Sequence, residues 1–183
     1  MSCNSLTLKG YNASCDTSKG GIQEVYLIEY DQVSNVSVTA TTAGTNTGAT
    51  SDYITAIALS GTSKFKTYKF RKETASMTSN LTVDNANGLN YVATELTMLF
   101  TRMEAVKRLE VVNMSMGEVA AIVLDSNGHY WYLGYNEGVT ASAGAGQTGQ
   151  AKSDGNYYSV TLTDNSDEFP YEVDPSIISA LLA

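Results

Sequence analysis

Apolar and polar residues alternate with period two along much of this chain, the mark of strands that turn one face to a core. Val36–Ala40 (VSVTA) shows it plainly. Ile22–Tyr30 (IQEVYLIEY), Tyr53–Leu59 (YITAIAL) and Tyr157–Thr163 (YYSVTLT) are runs of aromatic and β-branched residues, types that suit a pleated, half-buried surface. Phe65–Phe70 (FKTYKF) interleaves Lys with aromatics. Such interleaving can stack and neutralise nucleic acid, but the pattern predicts an edge strand guarded by charge. The longest alternation spans residues 90–100, with Val92, Leu96, Met98 and Phe100 on one parity and Thr94 between them. Preceded by Met77, Leu81, Val83 and the Asp84–Gly88 turn, it predicts a long β-hairpin over about 76–100.

The period then changes. Thr101-Arg-Met-Glu104 has capping-box spacing, and Ala105, Leu109, Val112 and Met116 follow as one helical stripe. Gly117 stands where a left-handed terminating residue belongs. The expectation is one helix, about 102–116, laid on a sheet face. Val119–Leu124 (VAAIVL) is a continuous apolar run short enough for a buried strand, and Asp125–Gly128 turns it into His129–Gly134 (HYWYLG). Residues 41–51 and 138–155, small, polar and Gly-spotted, read as long loops. Pro170 and Pro175 bracket an acidic extended tail, and Ile177–Leu182 is an apolar terminus able to dock on the core or on a neighbour. The fold class expected is mainly β: an antiparallel β-sandwich or barrel with one flanking helix, in a single domain over 1–183 with a short N-terminal arm.

Composition sharpens this. Of 183 residues, 53 are Ser, Thr or Asn, and charged residues are 16%, below the usual ~25%. Only two Pro and 43% apolar residues argue against disorder. No stretch of ~18 apolar residues suggests a membrane span, and the first residues lack the basic start and apolar run of a signal peptide. The net charge of −8 disfavours wrapping nucleic acid. It is unevenly placed: residues 64–108 carry 8 basic and 4 acidic groups, residues 110–183 one basic and 10 acidic. Three solvated surfaces explain that asymmetry; so does a self-complementary subunit whose basic middle meets a neighbour's acidic end.

Candidate chemistry is sparse. A bridge between Cys3 and Cys15 is left open by the sequence, with reduced thiols the default, and a zinc site lacks ligands because His129 is the only His. Gly144-Ala-Gly146-Gln-Thr-Gly149 matches G-x-G-x-x-G, but no helical period follows to hold a pyrophosphate, so it reads as a flexible loop. Asp125-Ser-Asn127-Gly resembles the start of a calcium loop, yet position 136 is Asn136 rather than a bidentate Glu. His129 reads as a strand residue rather than a general base. No catalytic residue, cofactor or metal ligand is expected.

The order of elements carries more: long hairpin, one helix, apolar strand, Asn-Gly hairpin, Gly/Ser loop, strand. With Cys15–Tyr30 (CDTSKGGIQEVYLIEY), Val119–Gly138 (VAAIVLDSNGHYWYLGYNEG) and the Gly144–Asp154 loop, the chain resembles tail-tube-like structural proteins of bacteriophages, in wording most like those of phages infecting Bacteroidetes. The type VI secretion tube protein belongs to the same architectural group. The resemblance implies a virion protein of the tail, a tail-tube or tail-ring subunit. It implies a homo-oligomeric ring (a hexamer or a multiple of one), neighbouring tail or connector proteins as partners, and DNA only as a non-specific passenger. It supplies no catalytic residues. On this reading Leu81, Val92, Leu96, Met98 and Phe100 form the oligomer interface, since a hairpin too long for a small monomer can bury its excess against another copy. The alternatives are a capsid decoration or head-fibre protein and a carbohydrate-binding β-sandwich, the latter suggested by twelve Tyr and Trp131.

Overall fold

The fold is described from a computed structural model over Cys15 and residues 17–42, 50–84 and 86–183. Cys3 and the middle of the 41–51 stretch lie outside the described residues. Eleven strands form two sheets. The larger contains β1 (Ile22–Glu29), β2 (Val33–Thr42), β3 (Thr50–Leu59), β4 (Lys66–Lys69), β7 (Val119–Asp125), β8 (Tyr130–Leu133) and β11 (Tyr171–Val173). Its order is β2-β3-β11-β8-β7-β1-β4. The smaller, in order β5-β6-β10-β9, contains β5 (Ala75–Asp84), β6 (Leu89–Thr101), β9 (Thr140–Gln147) and β10 (Tyr157–Ser166). The arrangement is a sandwich of two open sheets, and the expected barrel does not close.

Each sheet explains its own sequence pattern. The seven-stranded sheet is buried on both faces. Along β7, Val119, Ala121 and Val123 join Leu96, Met98 and Leu162 between the sheets. Ala120 and Ile122 join Tyr26, Ile54, Phe65 and Ile178 on the far side. A strand with two covered faces has no polar parity, which is why VAAIVL is continuous. The four-stranded sheet buries one face only, so β6 alternates: Val92, Thr94, Leu96 and Met98 are buried, while Tyr91, Ala93, Glu95 and Thr97 point outward.

The chain ends add what composition hid. The acidic tail is not simply extended: β11 inserts between β3, with which it is parallel, and β8. A second helix, α2 (Pro175–Leu181), corrects the one-helix expectation. Asp174 caps it by accepting from Ser176 N–H (2.8 Å), with Pro175 at its first turn. Ile178 and Leu181 are buried in the far core.

The first helix, α1 (Ala105–Met116), starts later than expected. Thr101 is still in β6, opposite Tyr157, and Arg102 adopts a left-handed φ of 66°, incompatible with a helical turn there. The capping box does not form. Asn156 holds the junction instead, its backbone oxygen accepting from Arg102 N–H and its side chain from Met103 N–H, each at 2.7 Å. Glu104 pairs with Arg102 (3.1 Å) and Lys107 (3.3 Å). At the other end Gly117 is extended, not left-handed (φ −144°). The larger correction concerns orientation. Met114 is the buried residue of α1, and at 100° per residue Leu109, Val112 and Met116 lie on the opposite side. All three are exposed, Met116 by 80%. The stripe assigned to the core faces away from it, because Val111 and Met114 supply a second apolar face that packs inward.

Candidate assembly interface

Edges decide what this molecule can do to another. β4 is guarded: Lys66 and Lys69 stand on it exposed, and Lys69 pairs with Glu24 at 3.1 Å, the charged-edge device expected from its sequence. β2 carries no charge, but its pairing with β3 shifts register twice, at Val33/Asn35 and Ser37/Val38. Such bulges twist an edge and spoil it as a template. β5 has neither protection. It pairs with β6 in unbroken register from Ala75↔Met98 to Asp84↔Leu89, and residues 75–83 (ASMTSNLTV) hold no charge and no Pro. β9, the opposite edge, is likewise uncharged over residues 140–147, with one register shift against β10.

The free groups on β5 can be assigned. Leu99 N–H donates to Thr74 O at 2.9 Å. Bonded and non-bonded pairs alternate in an antiparallel ladder, so Ser76, Thr78, Asn80 and Thr82 spend their backbone groups on β6. The N–H and C=O groups of Met77, Ser79, Leu81 and Val83 therefore face outward, where no strand among the described residues meets them. The end of the hairpin also overhangs the core. Leu81 and Val83 continue the inward parity of Met77, yet they are 51% and 54% exposed.

Of the five residues expected at the interface, the structure separates one from the rest. Val92, Leu96 and Met98 are buried within the single chain, and β6 has both its ladders filled by β5 and β10, so these three lie inside one copy rather than at its surface. Phe100 packs edge-on against Tyr68 and Phe70 (centroids 6.3 and 5.6 Å). Leu81 alone stands at the surface. The hairpin's first strand is the one left at the sheet edge, with nine residues that hold no charge, Pro or Gly.

The 138–155 loop is a strand where β9 runs. Gly144 and Gly146 lie in it, not in a phosphate loop. A Cβ on Gly146 would fall 2.9 Å from the Tyr158 ring, so that glycine lets a tyrosine lie across the strand. The outward face of the small sheet is hydroxyl-rich: Ser76, Thr78 and Thr82 from β5, Thr97 from β6, and Ser159, Thr161 and Thr163 from β10. Thr97 and Thr161 hydroxyls lie 3.2 Å apart, and Thr163 donates to Ser142 at 2.8 Å. Glu95 is the one charged residue facing outward from the middle of β6.

Polar groups elsewhere serve the fold. Asp125 Oδ1 accepts from the N–H groups of Asn127 (2.8 Å) and His129 (2.9 Å), a hairpin turn rather than a calcium loop. Burial pushes its carboxyl up, but these bonds and the one from Trp131 Nε1 (3.2 Å) hold it below the usual range. Trp131 is thus tied down and partly packed on the core, not displayed as a sugar platform. His129 Nδ1 lies 2.6 Å from Glu172 Oε1, and that hydrogen bond raises the imidazole against the opposing effect of burial. Asp164, on the inward parity of β10, is pushed up by burial, and Gly134 N–H is the donor to its Oδ2 (3.2 Å). No cluster of metal-ligating side chains occurs among the described residues, and no described helix is long and apolar enough to cross a membrane. Cys15 is a free, exposed thiol.

Compared with family models, curated proteins and solved structures, the chain matches none.

Proposed function

We propose that this chain is a non-enzymatic virion structural protein, a subunit of a phage tail tube or tail ring that assembles into a closed annulus. The observation that carries this reading is the four-stranded sheet, whose β5 edge is unguarded over residues 75–83 and whose β9 edge is uncharged with a single register shift. Its three internal pairings are antiparallel, so β5 and β9 run in opposite directions. Copies related by rotation about an axis along the strands then bring the β5 edge of one to the β9 edge of the next in antiparallel register. That heterologous contact closes when the rotation closes, and closure removes the last free edges. The wall so formed is lined by hydroxyls and Glu95 rather than Lys or Arg, which suits a channel that passes DNA without binding it.

Leu81→Pro tests this. Its N–H faces the free edge, where Pro is tolerated, so the monomer keeps its circular dichroism spectrum and melting temperature while the edge is blocked. Electron micrographs should show annuli for the unaltered protein and none for Leu81→Pro. A unaltered chain that sediments as a compact monomer at high concentration, or a Pro variant that still forms rings, overturns the reading.

A further inference from the structure

Two surface features of the chain fit one another and cannot meet within one copy. The first is the outer face of α1, where Leu109 (53% exposed), Val112 and Met116 form an apolar stripe with Val106 beside it. The charge flanking that stripe is basic. Arg108 is exposed and forms no ion pair among the described residues, Arg102 stands exposed just before the helix and pairs with Glu104, and Lys107 and Glu110 lie on the Met114 side, Glu110 accepting from Tyr68 Oη–H at 2.9 Å. The second is the turn between β10 and β11, Asp167-Glu168-Phe169-Pro170. Phe169 is 54% exposed and directly follows two exposed carboxylates. The turn is stiffened: Tyr171 donates to Glu168 at 2.5 Å, and its ring lies 5.0 Å from that of Tyr135.

An aromatic held out on a stiff acidic turn and an apolar helix stripe edged with arginine are the two halves of a small contact. Burying both removes apolar surface from water, and opposite charge at the rim sets register. We propose that the Phe169 knob of one copy docks on the α1 stripe of a second copy, with Asp167 facing Arg108. β10 starts beside α1, with Tyr157 opposite Thr101, and ends in the knob ten residues later, about 30 Å away at the usual rise. The contact therefore joins different parts of two copies and leaves one free half on each, so it propagates. One helix face and one four-residue turn bury less than the ~1,200 Å² of a standard interface, and the contact gains strength from repetition. It rests on self-assembly but not on the β5–β9 joint or on a closed ring, since it engages neither edge.

Paired charge reversals decide it. One chain carries Arg102→Glu and Arg108→Glu, the other Asp167→Lys and Glu168→Lys, all at exposed positions, with folding checked by circular dichroism. Each alone opposes like charges and should weaken self-association by at least ~tenfold in sedimentation velocity. Mixed in equal amounts they should recover it, because acidic stripe then meets basic knob and basic stripe meets acidic knob. Leu109→Ser and Phe169→Ser should reproduce the loss without any charge change. If rings persist and association is unchanged in every variant, the knob contact is overturned while the annulus stands. If the charge pairs behave as stated but only linear assemblies form, the contact stands and the annulus falls. Loss in both chains without recovery on mixing also overturns the contact, as does an unaltered chain that never self-associates.

Discussion

The two sheets of this molecule are finished to different degrees. The seven-stranded sheet has both faces covered, one by the small sheet and the other by α2 and the Phe65 segment. Its edges are guarded by Lys66 and Lys69 on β4 and by two register shifts on β2. Among the described residues, the four-stranded sheet has one bare face, an edge without charge or bulge over residues 75–83, and a hairpin whose inward parity runs past the core. The chain has solved the edge problem where folding alone is at stake and left it open where another copy is proposed to solve it. A sheet that had to stay monomeric would be expected to carry at least one charge within residues 75–83 of β5, before Asp84 at its end.

The largest expected effect separates interior from edge on the same hairpin. Met98 is fully buried between the sheets, so Met98→Asp places an unpaired carboxylate in the core at a cost of several kcal/mol. That is much of a typical domain stability of ~5–15 kcal/mol. Its far-ultraviolet circular dichroism should show loss of the native fold at ambient temperature. Leu81→Asp, three residues before the end of the neighbouring strand, should change stability by no more than about 0.5 kcal/mol and act on assembly alone. A folded Met98→Asp protein would mean that the hairpin does not contribute to the core described here.

How far the sequence foretells this depends on how many faces an element buries. β6 buries one, and its alternation identifies Val92, Thr94, Leu96 and Met98 correctly. β7 buries two, and its unbroken apolar run says so. β9 buries almost none. Thr-Ala-Ser-Ala-Gly-Ala-Gly-Gln has no apolar parity to detect, and its strand exists because Tyr157–Thr163 offers it a ladder. α1 misleads because it has two apolar faces, and one sequence does not rank Val111 and Met114 above Leu109, Val112 and Met116. The capping box at Thr101 fails because the β6–β10 ladder keeps Thr101 in the strand, a competition between local and long-range hydrogen bonds that spacing does not reveal. The expected interface residues divide between core and surface for a related reason: the most apolar strand of a hairpin is the one the core takes, and the open edge falls to its more polar partner.

A middle-sized effect comes from making the guarded edge resemble the open one. Lys66→Thr with Lys69→Thr removes the charge from β4 and the exposed Lys69–Glu24 pair. Pairs of that kind contribute about 0–1 kcal/mol, so the melting temperature should scarcely move. What should change is association: a second unguarded edge gives concentration-dependent species larger than those of the unaltered chain, measured by light scattering. Equal scattering from the two proteins would show that lysine is not what keeps β4 unpaired, and the contrast with β5 would lose its physical cause.

The smallest effect sits where the seven-stranded sheet is joined to its tail. His129 on the β7–β8 turn meets Glu172 on β11 at 2.6 Å. Tyr53 on β3 lies on the other side, its hydroxyl pushed up first by burial and then by Glu172. The folded imidazole is raised above 6.5, chiefly by the Glu172 hydrogen bond. A raised histidine stabilises in full below its unfolded value and loses that contribution as pH rises through the folded one. Stability should therefore decline from about pH 6.5 upward, by less than ~1 kcal/mol because the His129 side chain is about half exposed and screened by solvent. Glu172→Gln should flatten the slope in denaturant titrations across that window. Asp125, held low by its hydrogen bonds, acts in the opposite sense and at acid pH, so the two do not overlap. Since His129 is the only histidine of the chain and lies on the seven-stranded sheet, the sedimentation coefficient of the assembled protein should stay constant while the unfolding midpoint moves. A matching shift in assembly over the same window would couple the two sheets and erase the division of labour drawn between them.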